Sequence, residues 1–157
     1  MFNKLFNLHL KASNRPLEDY LTEIFAFCLD SDKVFRERFL NLLKLVNKNI
    51  GSATVETQSI YAAQKRRTDL EINLGHSHVI IESKIASTEG IEQLDSYAKI
   101  LAEKGADFKL LVFLTAKRED KFKSFPSGIN FQQLRWHDIG LCIKAAFLAS
   151  FTYTQVR

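Results

Sequence analysis

The alternation of apolar and polar positions is sharpest between Arg66 and Ile85, RRTDLEINLGHSHVIIESKI. Leu70, Ile72 and Leu74 alternate with Asp69, Glu71 and Asn73, the period of a half-buried strand. Gly75, His76, Ser77 and His78 break the pattern, after which Val79, Ile81, Ser83 and Ile85 alternate with Ile80, Glu82 and Lys84. A hairpin with Leu74 opposite Val79 sets Ile72 against Ile81, Glu71 against Glu82 and Asp69 against Lys84. Opposed side chains share a face, so this register gathers Asp69, Glu71, Glu82 and Lys84 on one side and the aliphatic residues on the other.

The rest of the chain reads around this hairpin. Met1 to Ser13 has a weak apolar period and is expected to be a short docking helix. Asn14 is placed to cap the next helix, with Pro16 in its first turn. Leu17, Tyr20, Leu21, Ile24, Phe25, Cys28 and Leu29 then recur as a broad apolar stripe. A second helix is predicted from Asp32 to Asn47. Ala53 to Tyr61 is rich in β-formers and reads as one strand, whose Glu56 and Gln58 the pattern assigns to neither face. Downstream, Ser87 and Thr88 are candidate caps for a helix from Ile91 to Glu103. Phe108 to Leu114 has the near-continuous apolar run of a strand buried on both faces. A charged loop, Lys117 to Lys123, leads to a strand from Asn130 to Trp136, with Trp136 a core anchor. The last helix runs from Ile139 to Leu148, capped by Asp138.

Three carboxylates and an ammonium on one face admit two readings. One is a solvated face whose ion pairs contribute little. The other is a divalent-metal site, because carboxylates on neighbouring strands can hold a hard cation that keeps several waters and accepts phosphate oxygens. Lys65, Arg66 and Arg67 lead into Asp69 as either a solvated turn or a set of phosphate contacts. Glu23 sits among apolar helix positions, where a charge needs a partner or a metal.

Asp69 followed by a turn and Glu82-Ser83-Lys84 resembles the D…(D/E)xK signature of the PD-(D/E)xK nuclease superfamily, with Thr68 where that name has its proline. Glu23 on the first helix and Gln93-Leu94-Asp95-Ser96-Tyr97 after the hairpin resemble the family's helix glutamate and its QxxxY motif. The resemblance implies a three-layer α/β/α domain with a central mixed sheet, the restriction-endonuclease-like core. It implies Mg²⁺, with Mn²⁺ able to substitute, held by Asp69, Glu82 and Glu23. Asp69, Glu82 and Lys84 would be catalytic, and Gln93, Tyr97, Arg66 and Arg67 would hold nucleic acid, DNA in preference to RNA. The expected activity is phosphodiester hydrolysis, in defence or repair. Two alternatives stay open: a catalytically inactive nucleic-acid-binding or regulatory module, and an oligomer-forming domain built on the Phe-rich helices.

Composition narrows this further. A chain of 157 residues suits a single domain. Its net charge of +4 is compatible with a polyanionic partner. Cys28 and Cys142 fall in apolar stretches and are expected to be reduced and buried. No signal peptide or membrane-length apolar run is visible, so the expected setting is the cytoplasm. The tail has no clear stop, and the chain is expected to be the front part of a longer protein or to pair with itself. No Gly-rich phosphate loop, zinc-type Cys/His spacing or GxSxG turn occurs, which removes most nucleotide-hydrolase, zinc-enzyme and esterase chemistries.

Overall fold

The computed structural model describes residues 16–45, 52–85, 92–117 and 125–154. The expected Met1–Ser13 helix, the Asn14 cap, Ser87, Thr88, Ile91 and most of the charged loop lie outside them. The helices are α1 (Pro16–Ser31), α2 (Lys33–Leu42), α3 (Gln93–Glu103) and α4 (Trp136–Thr154). The strands are β1 (Thr54–Thr57), β2 (Ile60–Tyr61), β3 (Arg66–Arg67), β4 (Leu70–Asn73), β5 (Ser77–Lys84), β6 (Phe108–Thr115) and β7 (Ile129–Arg135).

Five strands form a mixed sheet in the order β1-β4-β5-β6-β7, and β2 and β3 pair as a separate ribbon. β1, β4 and β5 are antiparallel, whereas β5, β6 and β7 are parallel. Alternate residues of the sheet feed two cores. Ile72, Val79, Ile81, Val112 and Leu114 pack with Phe25, Leu29, Phe39, Leu40 and Ile139 of α1, α2 and α4. Ile80, Leu111 and Phe113 pack with Leu94, Tyr97, Ile100 and Leu101 of α3 on the other face. The result is the expected three-layer α/β/α domain. Phe25 meets Phe35, Phe39 and Trp136 edge-on at 5.1–6.1 Å between ring centres, which ties both helices of the first pair to α4.

The hairpin departs from its predicted register by two residues. Ile72 pairs with Val79, Leu70 with Ile81 and Glu71 with Ile80. The cause is the turn, which uses only Gly75 and His76. Leu74 N–H donates to Ser77 C=O at 2.9 Å, and Gly75 adopts a φ of 76° that favours glycine. A shift of two keeps every side chain on its predicted face. Asp69, Glu71, Glu82 and Lys84 therefore still share one face, but it is not a solvated one: Glu71, Glu82 and Lys84 are 3%, 0% and 4% exposed.

Three further expectations change. The single strand Ala53–Tyr61 is two, broken at Gln58 and Ser59. α2 stops at Leu42 rather than Asn47, because Lys44 takes a φ of 59° and Leu45 N–H returns to Leu40 C=O at 2.9 Å, a Schellman closure with Leu40 and Leu45 both buried. In α1 the stripe is rotated: Leu17 and Ile24 are exposed, while Glu18, Asp19, Thr22 and Glu23 are buried. Polar groups just past β5 and on β3 account for this, since Glu18 accepts Ile85 N–H at 3.0 Å and Asp19 pairs with Arg67 at 3.2 Å.

Candidate active site

The site forms where β4 and β5 leave the sheet under the start of α1. Residues alternate along β5, so Ile80 enters the α3 core and Glu82 and Lys84 follow on the same face. Lys84 Nζ donates to Glu82 Oε1 in a contact sealed from solvent. Asp69 precedes β4, and its Oδ2 accepts Ser83 N–H at 2.8 Å, which holds it beside Glu82. The three residues expected to be catalytic thus meet at one point.

This point is short of positive charge. Desolvation pushes Glu82 up to about 8, and the charge of Asp69 adds to it against the pull of Lys84. Asp69 keeps part of its surface open, yet its carboxyl group is desolvated and its pKa is also raised, with Asp19 contributing repulsion. One lysine does not offset the desolvation of these two acids. Glu82 Oε2 has no hydrogen-bond partner among the described residues, an uncommon state for a buried carboxylate oxygen. The donor set suits a hard divalent cation: oxygens only, one of them unsatisfied, on two acids whose raised pKa values a bound cation would bring down. No three His, Cys, Asp or Glu side chains among the described residues form a group that could hold a metal ion. Glu23, the third expected ligand, is buried on α1.

The remaining predicted site residues surround this pair. Tyr97 is fully buried; its hydroxyl donates to Arg67 C=O at 2.8 Å and accepts from Gln93 Nε2 at 2.9 Å. Burial, followed by the charge of Glu82, raises the tyrosine's pKa, so the phenol stays neutral beside the carboxylates. Gln93 and Tyr97 are thus a bonded pair one helical turn apart. Arg66 Nε donates to Ser96 Oγ at 3.3 Å, and Arg67 leaves about half its side chain exposed while bridging to Asp19.

Two groups were not anticipated. Asp19 lies one turn before Glu23 on the same helical face and is the carboxylate through which α1 reaches Arg67. The i, i+4 spacing of the two acids was the available signal. The second is a hub at Glu71, which accepts from Thr68 Oγ1 at 2.7 Å, from Tyr61 Oη at 2.8 and 2.9 Å, and contacts His78 Nε2 at 2.8 Å. Burial alone would raise the Glu71 pKa. The bonds from His78, Thr68 and Tyr61 and the charge of Lys104 outweigh it and hold it at about 2. Thr68 stands directly before Asp69, so this hub braces the chain entering the site.

Two grooves lie elsewhere: about 380 Å³ between α2 and α4, and about 280 Å³ between α1 and α4, on the opposite side of the sheet from Glu82. Cys28 and Cys142, which help line them, are free and half-buried, and burial raises both thiols. No described helix is long and apolar enough to cross a membrane. In comparison with known proteins, a family model described as the PD-(D/E)XK nuclease superfamily matches residues 4–152. No curated protein matches the chain.

Proposed function

Because the chain belongs to the PD-(D/E)XK nuclease superfamily, we propose that it hydrolyses phosphodiester bonds in DNA with the help of a divalent metal ion, Mg²⁺ or Mn²⁺, in defence or repair. The observation that carries this reading is the desolvated Asp69–Glu82 pair with one unsatisfied carboxylate oxygen and a single lysine beside it. Asp69 and Glu82 would hold the ion, with Glu23 and Asp19 adding negative charge from α1. The ion, when bound, would supply Lewis-acid polarisation of the phosphate and a water of lowered pKa.

Lys84 turns its ammonium from Glu82 toward the attacked phosphate, orients the incoming water and offsets the charge that develops on the phosphoryl oxygens. Ser83 N–H keeps Asp69 from rotating. Gln93 and Tyr97 brace the strand path through Arg67, and the guanidinium groups of Arg66 and Arg67 contact the phosphate backbone without reading sequence.

The test is incubation with linear duplex DNA, closed-circular DNA and RNA of matching sequence, in Mg²⁺, in Mn²⁺ and in excess chelator. Cleavage of DNA with either metal, and none with chelator, is expected. Absence of cleavage in both metals, or cleavage that survives chelation, contradicts the proposal.

A further inference from the structure

The β2–β3 ribbon has one anchored face and one open face. Its register sets Tyr61 opposite Arg66 and Ile60 opposite Arg67, and directly opposed side chains of an antiparallel pair share a face. On the first face Tyr61 Oη donates to Glu71 at 2.8 and 2.9 Å, and Arg66 Nε donates to Ser96 Oγ at 3.3 Å. The backbone is fastened as well, by Thr68 N–H to Ser59 C=O at 3.0 Å and by Tyr97 Oη to Arg67 C=O at 2.8 Å.

The second face meets water. Ile60 is 79% exposed, more than any other large hydrophobic residue among those described, and the other exposed ones all lie on α1, α2 and α4. Arg67 opposite it leaves about half its side chain open while its guanidinium pairs with Asp19 at 3.2 Å. A lone exposed isoleucine needs no explanation by itself; the surroundings of this one supply it. Opposed Cα atoms of such a pair lie about 4.5–5.5 Å apart, and the two residues from Arg67 to Asp69 span at most about 7 Å. Ile60 therefore stands within roughly 12 Å of Asp69, a few nucleotides of a strand that rises about 3.4 Å at each step.

Resting on the nuclease reading above, we propose that Ile60 is a substrate-contacting residue: where Arg67 meets a backbone phosphate near the cleaved one, Ile60 packs against the adjoining deoxyribose and base edge. Lys65, Arg66 and Arg67 make the ribbon basic, which suits DNA over an apolar partner. A phosphate offers an isoleucine nothing, whereas thymine methyl groups and base steps inside a groove accept aliphatic side chains. Because the ribbon is already fastened, the contact forms without ordering a loop.

Ile60→Ser, Ile60→Leu, Arg67→Ala and wild type are compared by melting temperature and by kcat/KM for DNA cleavage across a series of salt concentrations. Ile60→Ser is expected to melt at the wild-type temperature and to lose about 10-fold in kcat/KM at every salt concentration. An apolar contact releases no counterions, so its salt dependence stays that of wild type, while Arg67→Ala flattens it. Ile60→Leu, of equal volume, is expected to stay within about 2-fold of wild type. Wild-type kcat/KM in Ile60→Ser overturns the inference, as does a loss that comes with a melting temperature several degrees lower, or a leucine variant as impaired as the serine one. Inactive wild type instead overturns the nuclease reading itself, and this inference with it.

Discussion

Thr68 stands where the family name carries proline, and its bonds explain why a different residue works there. Its N–H donates to Ser59 C=O at 3.0 Å and its hydroxyl to Glu71 at 2.7 Å, so two hydrogen bonds do what a ring does by fixing φ. Thr68→Pro would restore the family letter and lose both bonds. It is expected to destabilise the protein by roughly 2–4 kcal/mol in urea denaturation; unchanged stability would remove the bracing role given to the Glu71 hub. Asp69, Glu82 and Lys84 were legible from residue type and spacing because strand alternation puts them on one face. Asp19 was not. Which polar residue of an amphipathic helix turns inward depends on what lies beneath it, here Ile85 N–H and Arg67.

At the scale of elements, type and order follow from periodicity, and errors collect where a period is blind. A two-residue period fixes the face of β4 and β5 but cannot distinguish registers that differ by two, so Ile72 met Val79 and not Ile81. Lys44 closes α2 in a conformation usually signalled by glycine, which left the end of that helix unread. Asp138 was legible as a cap, but it acts from within α4, accepting Arg135 N–H at 2.9 Å and the Arg135 guanidinium at 3.1 Å. Desolvation would raise its pKa, and the Arg135 contacts more than reverse that, so the folded-state value lies below the ordinary one. The linked stability is present above the unfolded pKa and is lost as pH falls through the folded one. Asp138→Asn is expected to cost about 1 kcal/mol at pH 7 and progressively less in acid, measured by urea denaturation across pH. A cost that does not shrink in acid would mean the charge is irrelevant.

For the whole molecule, the sheet separates two duties. The face under α1, α2 and α4 carries the larger apolar core, centred on Phe39, Leu40, Val112 and Leu114, all essentially inaccessible. The other face carries the α3 core and then Glu82 and Lys84. Phe39→Ala, far from the acids along this division, is expected to lower stability by about 3–5 kcal/mol and to leave kcat per folded molecule unchanged; a matching fall in kcat would show that the two faces are coupled. The layer order was legible because strand, helix and strand in sequence constrain the parallel half of the sheet. The β2–β3 ribbon was not, since two-residue strands carry no period.

The catalytic role of the buried acid–lysine cluster is probed most sharply by cleavage with Lys84→Ala, compared with wild type in the same Mg²⁺-containing DNA assay, with circular dichroism to confirm the fold. The expected result is a folded protein whose cleavage rate falls by at least about 10³-fold, the scale of losing a preorganised charge at the reacting phosphate. A folded Lys84→Ala protein that cleaves at the wild-type rate would contradict that role.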